Sequence, residues 1–300
     1  MKLLVLGPTG RVGRQLILDY PQAMGANRDW VQLPKLTELA SFLRNVNPDV
    51  VINCAAYTQV DEAEQKKNRE LVLALNEGVP ATLGAWASEA PGNKVIHLST
   101  DFVFDGKKGE PYDEDDLPSP INMYGESKLA GECAMIKAEG GYVVRISHPF
   151  NNLFTGAEDI LKKLVEAGYK QDAAGAAVKI VERLVTFTYI PSLSQYLLTM
   201  AEELHQGVEP VHRLYHCVCM EALMLPVFVG RLFARLNLTT EITSTAPTET
   251  KPKTQTARRP SHSALAVTRY PGESRAYRQP DLDLVIFGAV IGRRDRATNP

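Results

Sequence analysis

The sequence is more informative at first for what it lacks. It has no long apolar run: the longest apolar region, 214–229, is broken by His216, Glu221 and Pro226, which excludes a membrane span. The apolar stretch after Lys2 is only "LLVL", too short for the core of a secretory signal, so the expected compartment is the cytoplasm. There is no excess of positive charge. A formal net charge of −2 leaves no electrostatic footprint for nucleic acid or an anionic membrane, and "TARRP" at 256–260 is a local pair of arginines. Cysteine is sparse: Cys54, Cys133, Cys217 and Cys219 have no metal-ligand spacing, and "LYHCVCM" reads as a strand carrying buried thiols on one face.

What is present is an alternation of short apolar runs and helical stretches. "KLLVL" (2–6), "DVVINCAA" (49–56), "KVIHLS" (94–99), "YVVRIS" (142–147) and "VKIV" (178–181) are continuous and rich in Val, Ile and Leu. Such runs fit strands buried on both faces of a parallel sheet, and "WVQL" (30–33) is a weaker candidate. Helical spacing runs through 36–46 and 68–90, where Pro80 predicts a kink, and through 154–168, 192–204 and 221–236. Residues 239–263 read as extended and loop-rich, and the last nine as a polar tail. The expected fold is a Rossmann-like, doubly wound α/β sheet over 1–150, with 178–206 returning to it. A smaller substrate-binding region fills the rest of 151–300.

Two clusters carry chemistry. The first strand runs into "GPTGRVG", where Gly7, Gly10 and Gly13 let backbone N–H groups approach a pyrophosphate at a helix N-terminus. Lys35, where an acid would contact a free ribose, leans toward a 2′-phosphate and hence NADP. The second cluster pairs "HLSTD" (97–101), closing a buried strand at the ligand-binding edge of the sheet, with "YGESK" (124–128). Tyr124 and Lys128 lie one helical turn apart on one face, so an ammonium there would lower the phenol's pKa and make it a proton donor.

These stretches, with "NPDVVINCAAYTQVDEAE" (47–64), "STDFVFDG" (99–106) and "ARRPSHSAL" (257–265), resemble the dTDP-4-dehydrorhamnose reductase family of the extended short-chain dehydrogenase/reductases. The resemblance covers residues 1 to about 147, with patches to about 270. It implies Tyr124 as general acid, Lys128 as the group that holds the nicotinamide ribose and depresses the tyrosine pKa, and Thr100 as a hydrogen bond to the substrate ketone. It implies cofactor contacts from Gly7, Gly10, Arg11, Val12, Gly13, Ala55, Ala56, Tyr57, Asn76 and Ser99, and sugar-side positions at Val60, Asp61, Asp101 and Phe102. The implied reaction is reduction of the 4-keto group of a nucleotide-linked 6-deoxyhexose by NADPH, with NADH and a homodimer left open.

The chain departs from that family where the sugar would sit. His148 replaces a tryptophan, "ERLVTFT" (182–188) replaces a family motif, and Gln15 stands where some members carry a metal-binding glutamate, so no metal is expected. The methionine adenosyltransferase β subunit resembles the same family. A non-catalytic, NADP-binding subunit with a partner enzyme is therefore the alternative, and another sugar-nucleotide reductase or epimerase is a third.

Overall fold

The computed structural model describes residues 1–27, 29–151, 160–219, 221–246 and 257–272. Its centre is a six-stranded, wholly parallel sheet. In chain order the first five strands are β1 (Leu3–Leu6), β2 (Met24–Ala26), β3 (Val50–Asn53), β4 (Lys94–Thr100) and β5 (Gly141–Ile146). Leu214–His216 completes the sheet beside β5, and the spatial order from the other edge is β2, β1, β3, β4, β5. Neighbouring residues of a strand serve opposite cores: Leu3 and Val5 pack under the helices Arg11–Asp19 and Ile190–His205, Leu4 and Leu6 under Leu36–Val46 and Val79–Ala87. With both faces covered, every position of β1, β3 and β4 is buried, and each large aliphatic side chain contributes roughly 1.5–3 kcal/mol.

Two expected strands fall elsewhere. "WVQL" is not a strand: residues 29–30 form a turn and Trp30 is exposed, while the edge strand is the small-residue segment Met24–Ala26. Gly25 is required there because a Cβ would lie 2.9 Å from Pro8 Cβ. "VKIV" is a strand, but it leaves the main sheet and pairs with Ile242–Thr245. Its side chains alternate buried and exposed, the pattern of a sheet covered on one face only.

The kink expected at Pro80 is a π turn over Ala74–Gly78 between two α-helical segments. Proline has no N–H to return to the Asn76 carbonyl, so the helix widens there. Gly131 of the helix Met123–Lys137 packs onto that carbonyl, where a Cβ would come within 2.3 Å.

A second layer is built from residues after β5. Strand pairs Pro149–Phe150 with Thr188–Tyr189 and Leu184–Val185 with Leu223–Met224 join the helices Ile160–Ala174 and Leu225–Leu236 around Phe150, Phe187 and Phe228. Pro226 sits in the first turn of its helix, where its missing N–H costs nothing. Part of the helix expected at 154–168, and the polar tail, lie outside the described residues. The chain after Leu214–His216 passes between layers in three steps. Cys217 is buried in the main core, Val218 in a small cluster with Phe104 and Leu265, and Cys219 in the second-layer core. The strand expected across "LYHCVCM" ends at His216, so the two thiols address different cores.

Candidate active site

The carboxyl edge of β1 turns through Gly7 into the helix Arg11–Asp19. Gly7 takes φ +76°, a left-handed conformation that favours glycine, and a Cβ on it would lie 2.9 Å from the Ala55 nitrogen. A Cβ on Gly13 would strike the Gly7 carbonyl oxygen at 2.2 Å. Gly10 is the N-cap, no side chain caps the helix, and its first turn holds no acid. Its leading N–H groups and positive dipole end are thereby presented to the cleft. Val12 is buried behind the turn, and the Arg11 guanidinium crosses to the second layer, donating to the Pro149 carbonyl at 2.7 Å.

The opposite wall is the loop after β3. Asn53 Oδ1 accepts from the Ala55 N–H at 3.1 Å, setting the course of Ala55 and Ala56. Asn76 is fully buried, and its amide brackets Tyr57: Oδ1 accepts from the Tyr57 N–H at 2.7 Å and Nδ2 donates to the Tyr57 carbonyl at 3.1 Å. Nδ2 also donates to Ser127 Oγ at 3.0 Å. Asn76 therefore shapes the loop rather than facing the cleft with a free amide. Across from the glycines, the buried Ser99 Oγ has no hydrogen-bond partner among the described residues. A cradle that a Cβ would fill, an uncapped helix start and an orphaned hydroxyl fit a bound dinucleotide.

β4 ends at Thr100. Its hydroxyl donates to Asp101 Oδ1 at 3.2 Å and accepts from the Phe102 N–H at 3.2 Å. Asn122 caps the helix Met123–Lys137 by accepting from the Gly125 N–H at 2.8 Å. Gly125 lets that helix lie directly on the Phe102 carbonyl, where a Cβ would come within 2.2 Å. The Tyr124 ring is thereby set edge-on against Phe102, with centroids 5.7 Å apart. Asp101 is buried and takes a 2.5 Å hydrogen bond from Ser263 Oγ. Burial pushes its carboxyl up, against the pull of His148 and three hydroxyls.

The electrostatics of the Tyr124–Lys128 pair correct the expectation from spacing. Burial pushes the phenol up to about 12, opposed by the nearby Thr100 hydroxyl and reinforced by Asp101. Lys128 does not lower it, because its amine is turned into the sheet: Nζ donates to the Leu98 carbonyl at 2.6 Å and lies 3.1 Å from His97 Nε2. Burial lowers Lys128 to about 8, against Glu132 and Cys54.

On the sugar side, Asp61 is already engaged: Arg259 grips both carboxylate oxygens at 2.9 and 2.7 Å, and the Ala257 N–H donates to it at 2.8 Å. It clasps 257–259 onto the start of the Val60–Ala63 helix. His148 adopts φ +40°, with Nδ1 2.8 Å from Ser147 Oγ and its ring 5.6 Å from Phe187. Beside the Tyr124 helix a cavity of about 370 Å³ is lined by Glu64, Lys66, Arg69, Asn122, Glu126 and Arg258, a mixed rim of three cations and two carboxylates that sequence reading missed. Beneath the site, Arg145 and Glu132 form a buried bidentate pair at 2.9 and 2.7 Å, with Arg145 5.0 Å over the Phe104 ring. No group of three or more His, Cys, Asp or Glu side chains is placed to hold a metal ion among the described residues.

Compared with known proteins, residues 1–279 match the model of the RmlD substrate binding domain. A dTDP-4-dehydrorhamnose reductase of Burkholderia thailandensis is 39% identical over 146 residues, 48% of each chain, so the chain spans about half that relative's length. A methionine adenosyltransferase 2 subunit beta of Danio rerio is 32% identical over 182 residues, 55% of this chain and 53% of that one. The crystal structure of dTDP-4-dehydrorhamnose reductase from Bacillus anthracis in complex with NADP superposes with a TM-score of 0.79 at 22% identity. It covers 97% of this chain and 100% of that one, a likeness of fold.

Proposed function

The chain belongs to the RmlD substrate binding domain family, and from that premise we propose that it reduces the 4-keto group of a nucleotide-linked 6-deoxyhexose with NADPH. The observation that carries this reading is the convergence of Thr100, which closes β4, with Tyr124, held edge-on against Phe102 by the helix that Gly125 seats on the Phe102 carbonyl. Gly7, Gly10, Arg11, Val12 and Gly13 would hold the pyrophosphate, Ala55, Ala56 and Tyr57 the adenosine side, and Ser99 and Lys128 the nicotinamide end. Asn76 contributes by fixing the Tyr57 loop. Bound there, the cofactor supplies a hydride to the keto carbon.

The chain's own residues handle the oxygen. Thr100, turning its one hydroxyl proton from Asp101 to the ketone, would align it, and Tyr124, protonated through neutral pH, delivers the proton as negative charge develops. Val60, Phe102 and His148 wall the sugar, while Asp61 and Asp101 act through Arg259, Ser263 and Thr100. Lys66, Arg69 and Arg258 offer positive charge to the nucleotide's phosphates. A cytoplasmic setting is proposed as well; no described helix is long and apolar enough to cross a membrane.

The test is oxidation of NADPH in the presence of dTDP-4-dehydrorhamnose generated in situ, with Tyr124→Phe alongside. Turnover in the parent, reduced roughly a hundredfold or more in Tyr124→Phe with cofactor affinity retained, supports the assignment. An unchanged rate in Tyr124→Phe sinks it. The similarity to a methionine adenosyltransferase subunit supports a second reading. Tight NADPH binding with no turnover on any keto-sugar would favour that reading, as a regulatory subunit.

A further inference from the structure

Arg183 lies in 182–188, the stretch where the chain departs from its family's motif, and its backbone is pinned from two sides. Its carbonyl accepts the Leu225 N–H at 2.8 Å from the second layer. The next residue, Leu184, donates its N–H to the Ser261 carbonyl at 3.2 Å and to His262 Nδ1 at 3.1 Å. Arg183 is thereby seated against 257–263, where Arg259 grips Asp61 and Ser263 donates to Asp101. Its side chain is less well provided for: Nε is buried and makes no hydrogen bond among the described residues. The guanidinium stands among the sugar-side groups. Burial and then Arg259 disfavour its charge, and Asp101 favours it. Burial lowers His148 too, and Arg183 adds to that effect against Asp101.

A guanidinium offers donors only and stays charged, so a buried N–H without an acceptor keeps the full cost of leaving water. What Arg183 lacks is an acceptor rather than a counter-charge, because the Asp101 carboxyl already offsets its charge from nearby. A phosphate or carboxylate in that space would crowd Asp101, and Lys66, Arg69 and Arg258 line a separate cavity suited to phosphates. A sugar hydroxyl accepts a hydrogen bond and brings no charge. We propose that Arg183 is a specificity-determining residue of the sugar pocket: its Nε–H donates to a ring hydroxyl of the hexose, so the chain reads the sugar's oxygen pattern as well as its ketone. The inference rests on the reductase reading for the identity of the ligand. A pocket built this way rejects a ligand lacking that hydroxyl, because its buried donor is then left unpaired.

The experiment is calorimetric titration of the NADPH-bound full chain with dTDP-rhamnose and, separately, with dTDP. Neither ligand has a ketone to accept hydride, so binding is read without reaction. The parent should bind dTDP-rhamnose at least about tenfold more tightly than dTDP, the scale of one hydrogen bond to a charged group. Arg183→Met keeps the aliphatic stem and Arg183→Lys keeps the charge. Each should lose about tenfold or more for dTDP-rhamnose, with the dTDP affinity held within about twofold. Equal affinity of the parent for the two ligands would overturn the proposal, and that measurement needs no variant to fold. Equal losses for both ligands in Arg183→Met would overturn it by assigning the guanidinium to phosphate. Parent-like binding by Arg183→Lys would do so by leaving it only a charge. Absence of reductase turnover with the binding contrast intact would count against the proposed activity alone.

Discussion

Replacing Glu132 by Gln would test how the buried charge beneath the site is balanced. Glu132 and Arg145 are each about 1% exposed, and the pair is bidentate. Glutamine keeps the shape but offers one acceptor instead of two, and its NH₂ turns a donor toward a guanidinium that has only donors. Arg145 keeps the Phe104 ring and a weak contact to His216 at 3.4 Å, neither of which neutralises it. Breaking one side of such a pair costs about 3–5 kcal/mol, because the remaining cation stays buried. Against a total stability of roughly 5–15 kcal/mol, that shifts the folding equilibrium by two to four powers of ten. Urea unfolding followed by fluorescence of the buried Trp86 should show the midpoint falling at constant slope. The Glu132→Leu, Arg145→Leu double variant should be more stable than Glu132→Gln, since it buries no unpaired charge. A loss below about 1 kcal/mol in Glu132→Gln, or a double variant less stable than the single, would refute the reasoning.

Other consequences are open to quick measurement. Gly13→Ala places a methyl group 2.2 Å from the Gly7 carbonyl oxygen, so the loop must move. NADPH affinity by fluorescence titration should drop at least about tenfold, and an unchanged Kd would show the cradle is not the cofactor loop. Arg259 holds the Asp61 carboxyl below its ordinary value. A depressed carboxyl contributes stability above its unfolded value, about 3.9, and loses it as pH falls through the folded value. Thermal melts from pH 3 to 7 should therefore show a shallower acid decline in Asp61→Asn than in the parent. Arg258→Ala should raise KM for the nucleotide-sugar several-fold while leaving kcat and KM for NADPH in place.

Much of the main sheet was legible because strands buried on both faces are rich in Val, Ile and Leu, as β1, β3, β4 and β5 are despite Asn53, His97 and Arg145. β2 was not, since an edge strand of Met, Gly and Ala is chosen by its fit against Pro8, not by any pattern. "WVQL" misled because apolarity alone does not distinguish an exposed turn from a strand. In the second layer, two-residue strands are too short to show a period at all. At the site, residue types and helical spacing placed Thr100, Tyr124 and Lys128 together. The direction of the Lys128 amine was hidden, because it depends on the register of β4 against β3. His97 sat in plain view in "KVIHLS", and its signal was a lone histidine inside an otherwise apolar buried run. Asn76 was read as a cofactor contact, although the π turn that aims its amide at Tyr57 follows from Pro80 four residues on.

The passage through Cys217, Val218 and Cys219 bears on how such a chain can change length over evolution. Three successive side chains are addressed to three separate clusters, so inserting or deleting one residue there would send each to the wrong destination. By contrast, the loop at 107–110 is exposed and its Gly109 has open space around it. Insertions that distinguish related chains should therefore collect at sites like 107–110, and the crossing should keep a fixed length even where its residues vary.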